Sequence, residues 1–187
     1  MSDTYSYICF DLTAGGTTDP NNPDVDSDRE AELMQAYESS TDAKSRGRIP
    51  IICGDFNCGP EGEGGAADAS LSNFRFILDK GFRDTFAEFH ASERAAGKPI
   101  PTHMATWDPT NYLNVIGSHP HCPCQRCDHV LVPTEVNFPD QNSNGFKPDW
   151  VVTEARIEFV EPCVQVNSKV KSTLSDHFGL LIELQEK

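Results

Sequence analysis

Positive charge is scarce in this chain: 15 lysines and arginines stand against 29 aspartates and glutamates, a formal net charge of −14. Nonspecific affinity for nucleic acid needs clustered Lys and Arg to displace condensed counterions, and the basic residues here are scattered. The densest group is Lys44-Ser45-Arg46-Gly47-Arg48. The shortage lowers the weight of a nucleic-acid partner without removing it, because a divalent cation can lie between an acidic protein and a phosphodiester. Long apolar runs are also lacking, so a transmembrane segment is not expected. The opening Met1-Ser2-Asp3-Thr4 has neither a basic region nor an apolar stretch behind it, so no signal peptide is visible. Regular disulfide spacing is absent as well. The seven cysteines are an odd number and cannot all pair internally, which favours a soluble, reducing, cytoplasmic setting. Cys9 and Cys53 lie in apolar runs and read as small core residues.

What is present suits one globular domain with a sizeable core: 187 residues, 37% hydrophobic and 24% charged. Tyr5 to Leu12 is rich in β-branched and aromatic types and reads as a strand. Thr13 to Pro23 is a loop by composition. Ser27-Asp28-Arg29-Glu30 has the pattern of a capping box, followed by Leu33, Met34 and Tyr37 at helical spacing, with an end expected near Ser39. The glycine-rich, acidic stretch Cys58 to Asp68 lacks a phosphate-loop lysine and reads as a connection. A second helix is expected from about Ser70, placing Phe74, Ile77 and Leu78 on one face and ending at Gly81 in a left-handed cap. Asp128 to Val132, Trp150 to Val160 and Phe178 to Leu184 are the later strand candidates. Pro133 to Pro148 reads as a loop or insertion. Early alternation of strands and helices, with strands dominating late, predicts two packed sheets with outer helices.

The chemistry concentrates in two short stretches. Pro50-Ile51-Ile52-Cys53-Gly54-Asp55-Phe56-Asn57-Cys58 is an apolar run that stops at a glycine and then presents Asp55 and Asn57. Residues two apart on an extended segment point the same way, so a carboxylate and an amide leave the strand end together. Far along the chain, Ser175-Asp176-His177-Phe178-Gly179 places an acid and a histidine just before another apolar run. Together the two stretches resemble a phosphodiester-hydrolysing family, whose reaction needs a positioned water, an acceptor for its proton and neutralisation of charge on the phosphorus centre. By that resemblance Asp55 suits the acceptor, Asn57 can hold a nonbridging oxygen, and His177 can bind phosphate or exchange a proton.

The ordered pair Gly-Asp-x-Asn and Ser-Asp-His resembles the endonuclease/exonuclease/phosphatase superfamily, the fold of deoxyribonuclease I and the neutral sphingomyelinases. The resemblance implies an α/β fold, a two-sheet, four-layer sandwich. Arg126-Cys127-Asp128-His129 is similar to the superfamily's Arg-x-Asp-Tyr strand; by that match Asp128 orients His177, and His129 stands where a tyrosine is usual. Asp176 matches a position assigned to metal binding or to support of the site. Hard carboxylate oxygens from Asp55 and Asp176 suit Mg²⁺ or another divalent cation. Ala105-Thr106-Trp107-Asp108-Pro109-Thr110-Asn111 resembles the Thr-Trp-Asp-x-x-x-Asn stretch of sphingomyelinase-like members, where Trp107 and Asn111 would line the substrate cleft. The alternative is that Trp107 is a buried anchor for a loop.

The resemblance covers nearly all of this chain but only the later part of the family domain. Strands carrying an early asparagine and a metal-binding glutamate have no counterpart here, so a sandwich partial at its N-terminal side is expected. Asp11 stands where the strand that usually reads Asn-Thr-His-Leu carries its histidine. The implied function is a metal-dependent phosphodiester hydrolase, with a phospholipid head group favoured over nucleic acid. The alternatives are a Mg²⁺-dependent nuclease, or a truncated, non-catalytic member that binds a partner chain or the missing N-terminal segment. His119-Pro120-His121-Cys122-Pro123-Cys124-Gln125-Arg126-Cys127 has ligand types for zinc but no second ligand pair at a distance, and reads as a Cys-rich loop beside the Asp128 strand.

Overall fold

A computed structural model of the chain describes residues 5–12, 25–60, 71–117, 124–134 and 150–186. Strand β1 (Tyr5–Asp11), helix α1 (Val25–Ser45) and strand β2 (Ile49–Asp55) open the fold. The two strands pair in parallel, from Tyr5 opposite Ile49 to Asp11 opposite Asp55. A parallel pair cannot be joined by a tight turn and needs a crossover, which α1 supplies. Helix α2 (Leu71–Asp79), strand β3 (Phe82–Asp84) and helix α3 (Thr85–Ala95) follow, then the short helix α4 (Tyr112–Ile116) and strand β4 (Asp128–Pro133). β4 runs antiparallel to β2 on one side and β3 on the other, giving a four-stranded sheet in the order β1-β2-β4-β3. The chain ends in β5 (Trp150–Glu158), the small hairpin of β6 (Val164–Gln165) and β7 (Lys171–Ser172), and β8 (Gly179–Glu186), where β5 and β8 form a second sheet.

The alternation of side chains along a strand divides the large sheet into two faces. Ile52 and Leu131, with Ile8 and Phe10 beside them, pack under α1 and α2 against Leu33, Ala36, Phe74 and Ile77. On the opposite face Ile49, Ile51 and Val132 meet Trp150 of the second sheet, joined by Tyr5, Val130 and Leu184. Helix α3 buries Phe86 against Val152 and Ala155 of β5. The expected strands are all present, and the arrangement of sheets and outer helices is that of an α/β sandwich.

Several local expectations shift. Ser27 to Glu30 lies inside α1, which starts at Val25 and continues beyond Ser39 to Ser45. The buried stripe Arg29, Leu33, Ala36, Ser40, Ala43 explains the extension. Small residues continue the contact after the large apolar ones stop, and packing of that face sets the helix ends. α2 has its expected face, and Gly81 ends it at φ +96° with its N–H on the Leu78 carbonyl. α3 begins from a cap at Asp84, whose carboxylate accepts the amides of Phe86 and Ala87. Cys9 and Cys53 are not core residues. Cys9 is exposed and Cys53 half-buried, because they lie on the inter-sheet face of β1 and β2. At Tyr7, 67% exposed, that face has little cover among the described residues. Most of the expected loops at 13–23, 58–68 and 133–148 lie outside the described residues.

Candidate active site

Gly54 is where β2 touches β1 most tightly. Its φ is +143°, and a Cβ there would collide with the Phe10 carbonyl, so only glycine fits the strand end. Asp55 follows, and the sheet register then sets three carboxylates in a row: Asp11 on β1, Asp55 on β2 and Asp128 on β4 are successive partners. All three share the side-chain parity of the inter-sheet face. Asn57, at φ +46°, a conformation asparagine tolerates, fixes this corner. Its backbone N–H donates to Asp55 Oδ1 at 2.8 Å, and its side-chain amide donates to the Leu12 carbonyl at 2.7 Å and to Asp11 Oδ1 at 3.4 Å.

His177 arrives from the segment before β8. Its Nδ1 lies 2.8 Å from Asp128 Oδ2 and its Nε2 lies 3.6 Å from Asp55 Oδ2. Thr106 ties the two segments together. Its hydroxyl oxygen accepts the amides of Cys127 and Asp128, both at 3.1 Å, and its carbonyl accepts the Phe178 amide at 2.7 Å. One buried threonine thus holds the strand bearing Asp128 to the turn bearing His177. From sequence Thr106 had no role of its own; its signal was its place as the threonine of the Thr-Trp-Asp match.

The electrostatics follow from this crowding. Burial and the neighbouring Asp128 charge push the Asp55 carboxyl up to about 6, against the Asn57 amide and His177. Burial alone would lower His177, but the hydrogen bond and charge of Asp128, with Asp55 and Asp176, carry it up to about 9. At neutral pH the imidazole is therefore cationic and Asp55 mostly ionised. Single ligand atoms of Asp55, Cys127, Asp128 and His177 lie within 4.8 Å of one another. Burial, with the charges of Asp55 and Asp128, holds the Cys127 thiol well above its ordinary range, so the donors on offer are carboxylate oxygens. A carboxyl that burial and like charge have raised is one that a hard cation would relieve, and the donor set fits such an ion.

The remaining predicted residues divide. Trp107 is buried, and its ring stands edge-to-face against the His177 imidazole at 5.1 Å. Asn111 caps α4 and donates its amide to Thr173 Oγ1 and to the carbonyls of Ser175 and Asp176. The structure thus gives Asn111 to the His177 turn, not to an open cleft, and Asn114 joins it through the Asp176 carbonyl at 2.9 Å. The Asp176 side chain accepts from Ser175 Oγ and acts on His177 through its charge, outside the four-residue ligand group. Of the Cys-rich stretch, 118–123 lies outside the described residues; Cys124 is exposed and Cys127 belongs to the carboxylate–histidine group.

On the other face of β4 lies a network that the sequence did not announce. Arg126, fully buried, pairs with Asp84 at 2.6 Å and reaches His129 Nδ1 at 2.7 Å, while His129 Nε2 lies 2.8 Å from the Cys58 carbonyl. Burial and the Arg126 charge bring His129 down to about 3, so it is neutral. The Arg126 charge holds the Asp84 carboxyl below its ordinary range in spite of burial.

No protein-family model and no curated protein sequence matches the chain. Solved structures do. A 3'-5' exonuclease (NExo) from Neisseria meningitidis superposes with TM-score 0.57 at 15% identity, over 95% of this chain and 60% of its own. D. rerio TDP2, complexed with a single-strand DNA product, gives 0.57 at 16%, over 96% and 55%. An endonuclease/exonuclease/phosphatase family protein from Bacteroides thetaiotaomicron gives 0.54 at 14%, over 96% and 48%. The chain has the endonuclease/exonuclease/phosphatase fold. At these identities the likeness is one of fold, and the chain spans about half to three-fifths of the length of those proteins. Within the endonuclease/exonuclease/phosphatase fold of this chain, the carboxylate row and His177 stand at one end of the face between the sheets.

Proposed function

We infer that the site hydrolyses a phosphodiester with the help of a divalent cation. The observation that carries the reading is the Asp128–His177–Asp55 chain, with spacings of 2.8 and 3.6 Å. Asp128 fixes the imidazole orientation and keeps its charge. His177, cationic at neutral pH, donates from Nε2 to a phosphate oxygen. Asp55 accepts a proton from the attacking water, and Asn57 steadies Asp55 through its backbone amide. Asp55 would hold the cation, with Asp176 supporting it, and the ion would neutralise charge on the phosphate oxygens. Trp107 walls the imidazole and excludes water from one side.

The net charge of −14 supports a phospholipid head group over a polyanion. So do the exposed apolar side chains Val115, Ile116 and Leu174 on segments tied to the His177 turn. Nucleic acid is the alternative, favoured by the exonuclease and the DNA-bound TDP2 among the similar structures. A non-catalytic, partner-binding role is favoured by one feature. A groove of about 460 Å³ lined by Tyr5, Tyr7, Ile51, Trp150, Leu184 and Gln185 opens beside β1, and a second polypeptide supplying strands would cover it.

The test is hydrolysis of sphingomyelin and of DNA with Mg²⁺ or with chelator, beside His177→Ala. Metal-dependent release that falls by about 10²- to 10⁴-fold in the variant is expected. Folded protein that turns over neither substrate with metal present selects the partner-binding reading.

A further inference from the structure

We propose that Cys9 and Cys53 are a redox pair that closes to a disulfide across β1 and β2. The two residues are register partners in the parallel ladder, so their Cβ atoms leave the same face of the sheet side by side. Neighbouring strands lie about 4.8 Å apart, inside the ~4.4–6.8 Å Cα span that a disulfide accepts. The sulfurs are 3.1 Å apart, about 1 Å beyond a covalent S–S bond. Cys9 is exposed and Cys53 half-buried, on the open inter-sheet face beside Tyr7. A small-molecule oxidant can reach the pair without unfolding the sheet.

The reaction is a thiol–disulfide exchange with a low-molecular-weight disulfide such as oxidised glutathione. Two S–H bonds and the glutathione S–S bond break; one protein S–S bond and two glutathione thiols form. The protein loses two electrons and two protons, and glutathione takes both. Among the described residues β1 is an edge strand paired with β2 alone, so the bridge staples the edge that carries Asp11. It lies one side-chain step from the Asp11–Asp55 pair and closes a loop with a sequence separation of 44. The inference is independent of the hydrolase reading, since it needs neither metal nor substrate.

The experiment equilibrates the native chain in reduced or oxidised glutathione, quenches with acid, alkylates the remaining thiols and maps peptides without reduction. The expected result in oxidised buffer is one intrachain Cys9–Cys53 peptide and a loss of two hydrogens. The melting temperature rises by roughly 5–10 °C, and dithiothreitol reverses it. Cys9→Ala and Cys53→Ala each abolish both changes. The proposal is overturned if Cys9 and Cys53 are still separately alkylated or glutathionylated in oxidised buffer, or if either bridges to another cysteine or to a second copy. It is also overturned if the bridge forms and the melting temperature is unchanged.

Discussion

Strand β4 carries two histidine networks on its two faces, and they are electrostatic opposites. On the helix side, Asp84 is matched by Arg126, and His129 beside them is neutral. On the inter-sheet side, Asp128 has no guanidinium partner among the described residues, and His177 takes the proton in its place. Each set contains an aspartate and a histidine with a ring nitrogen in a short contact. The difference is whether a permanent cation is already in the cluster. With one, a second positive charge is repelled and burial wins; without one, two carboxylates outbid burial and hold the imidazolium. A buried network whose charges are matched internally serves packing. One with surplus negative charge, open to solvent at half-buried His177, is the one able to exchange protons and hold a cation.

Removing the carboxylate from the second network gives the largest expected effect. Asp128→Asn should return the His177 imidazole from about 9 toward its ordinary 6.5, read by NMR titration. It should also lower phosphodiester turnover by about 10²- to 10⁴-fold. The same variant tests stability against pH. His177 is raised in the folded state, so its contribution is full below 6.5 and is lost as pH rises through about 9. Melting scans of the wild-type chain across that window should fall with pH, and those of Asp128→Asn should fall less.

Breaking the matched network comes next. Arg126→Met leaves Asp84 buried without its partner, and unfolding in urea should show a loss of about 3–5 kcal/mol. Asp84→Asn in the same chain should restore part of it. If Arg126→Met left stability unchanged, the contrast between the two faces would fail. The smallest effect is expected at the tie between β4 and the His177 turn. Thr106→Val deprives the Cys127 and Asp128 amides of their acceptor, at a cost of about 1–3 kcal/mol, and should speed hydrogen exchange at those two amides. Thr106→Ser should restore both.

Much of the candidate site was legible beforehand. Gly54-Asp55-x-Asn57 announced a strand end, and the structure adds the reason for the glycine, the close approach of the β1 backbone at Phe10. The order of Asp128 and His177 suggested a pair, and the side chains meet. The fold class followed from strand and helix alternation. Less legible were features that depend on what packs where. Arg126 reads as one more scattered cation, and its burial against Asp84 is visible only when β3 and β4 lie together. Asn111 looked like a cleft residue because an exposed amide and a buried one have the same sequence. Cys9 looked like core because an apolar run does not say which of its faces is covered.

The sequence by itself determined the main strands, the presence of the first two helices and the residue types at the strand ends: periodicity, glycine placement and carboxylate spacing act locally and leave their trace in order along the chain. Only the tertiary structure decided the alignment of Asp11, Asp55 and Asp128 in one row, the proton on His177, its absence from His129 and the contact between Cys9 and Cys53. Strand register and burial fix those, and both depend on residues more than forty positions apart being brought within reach of each other's charge.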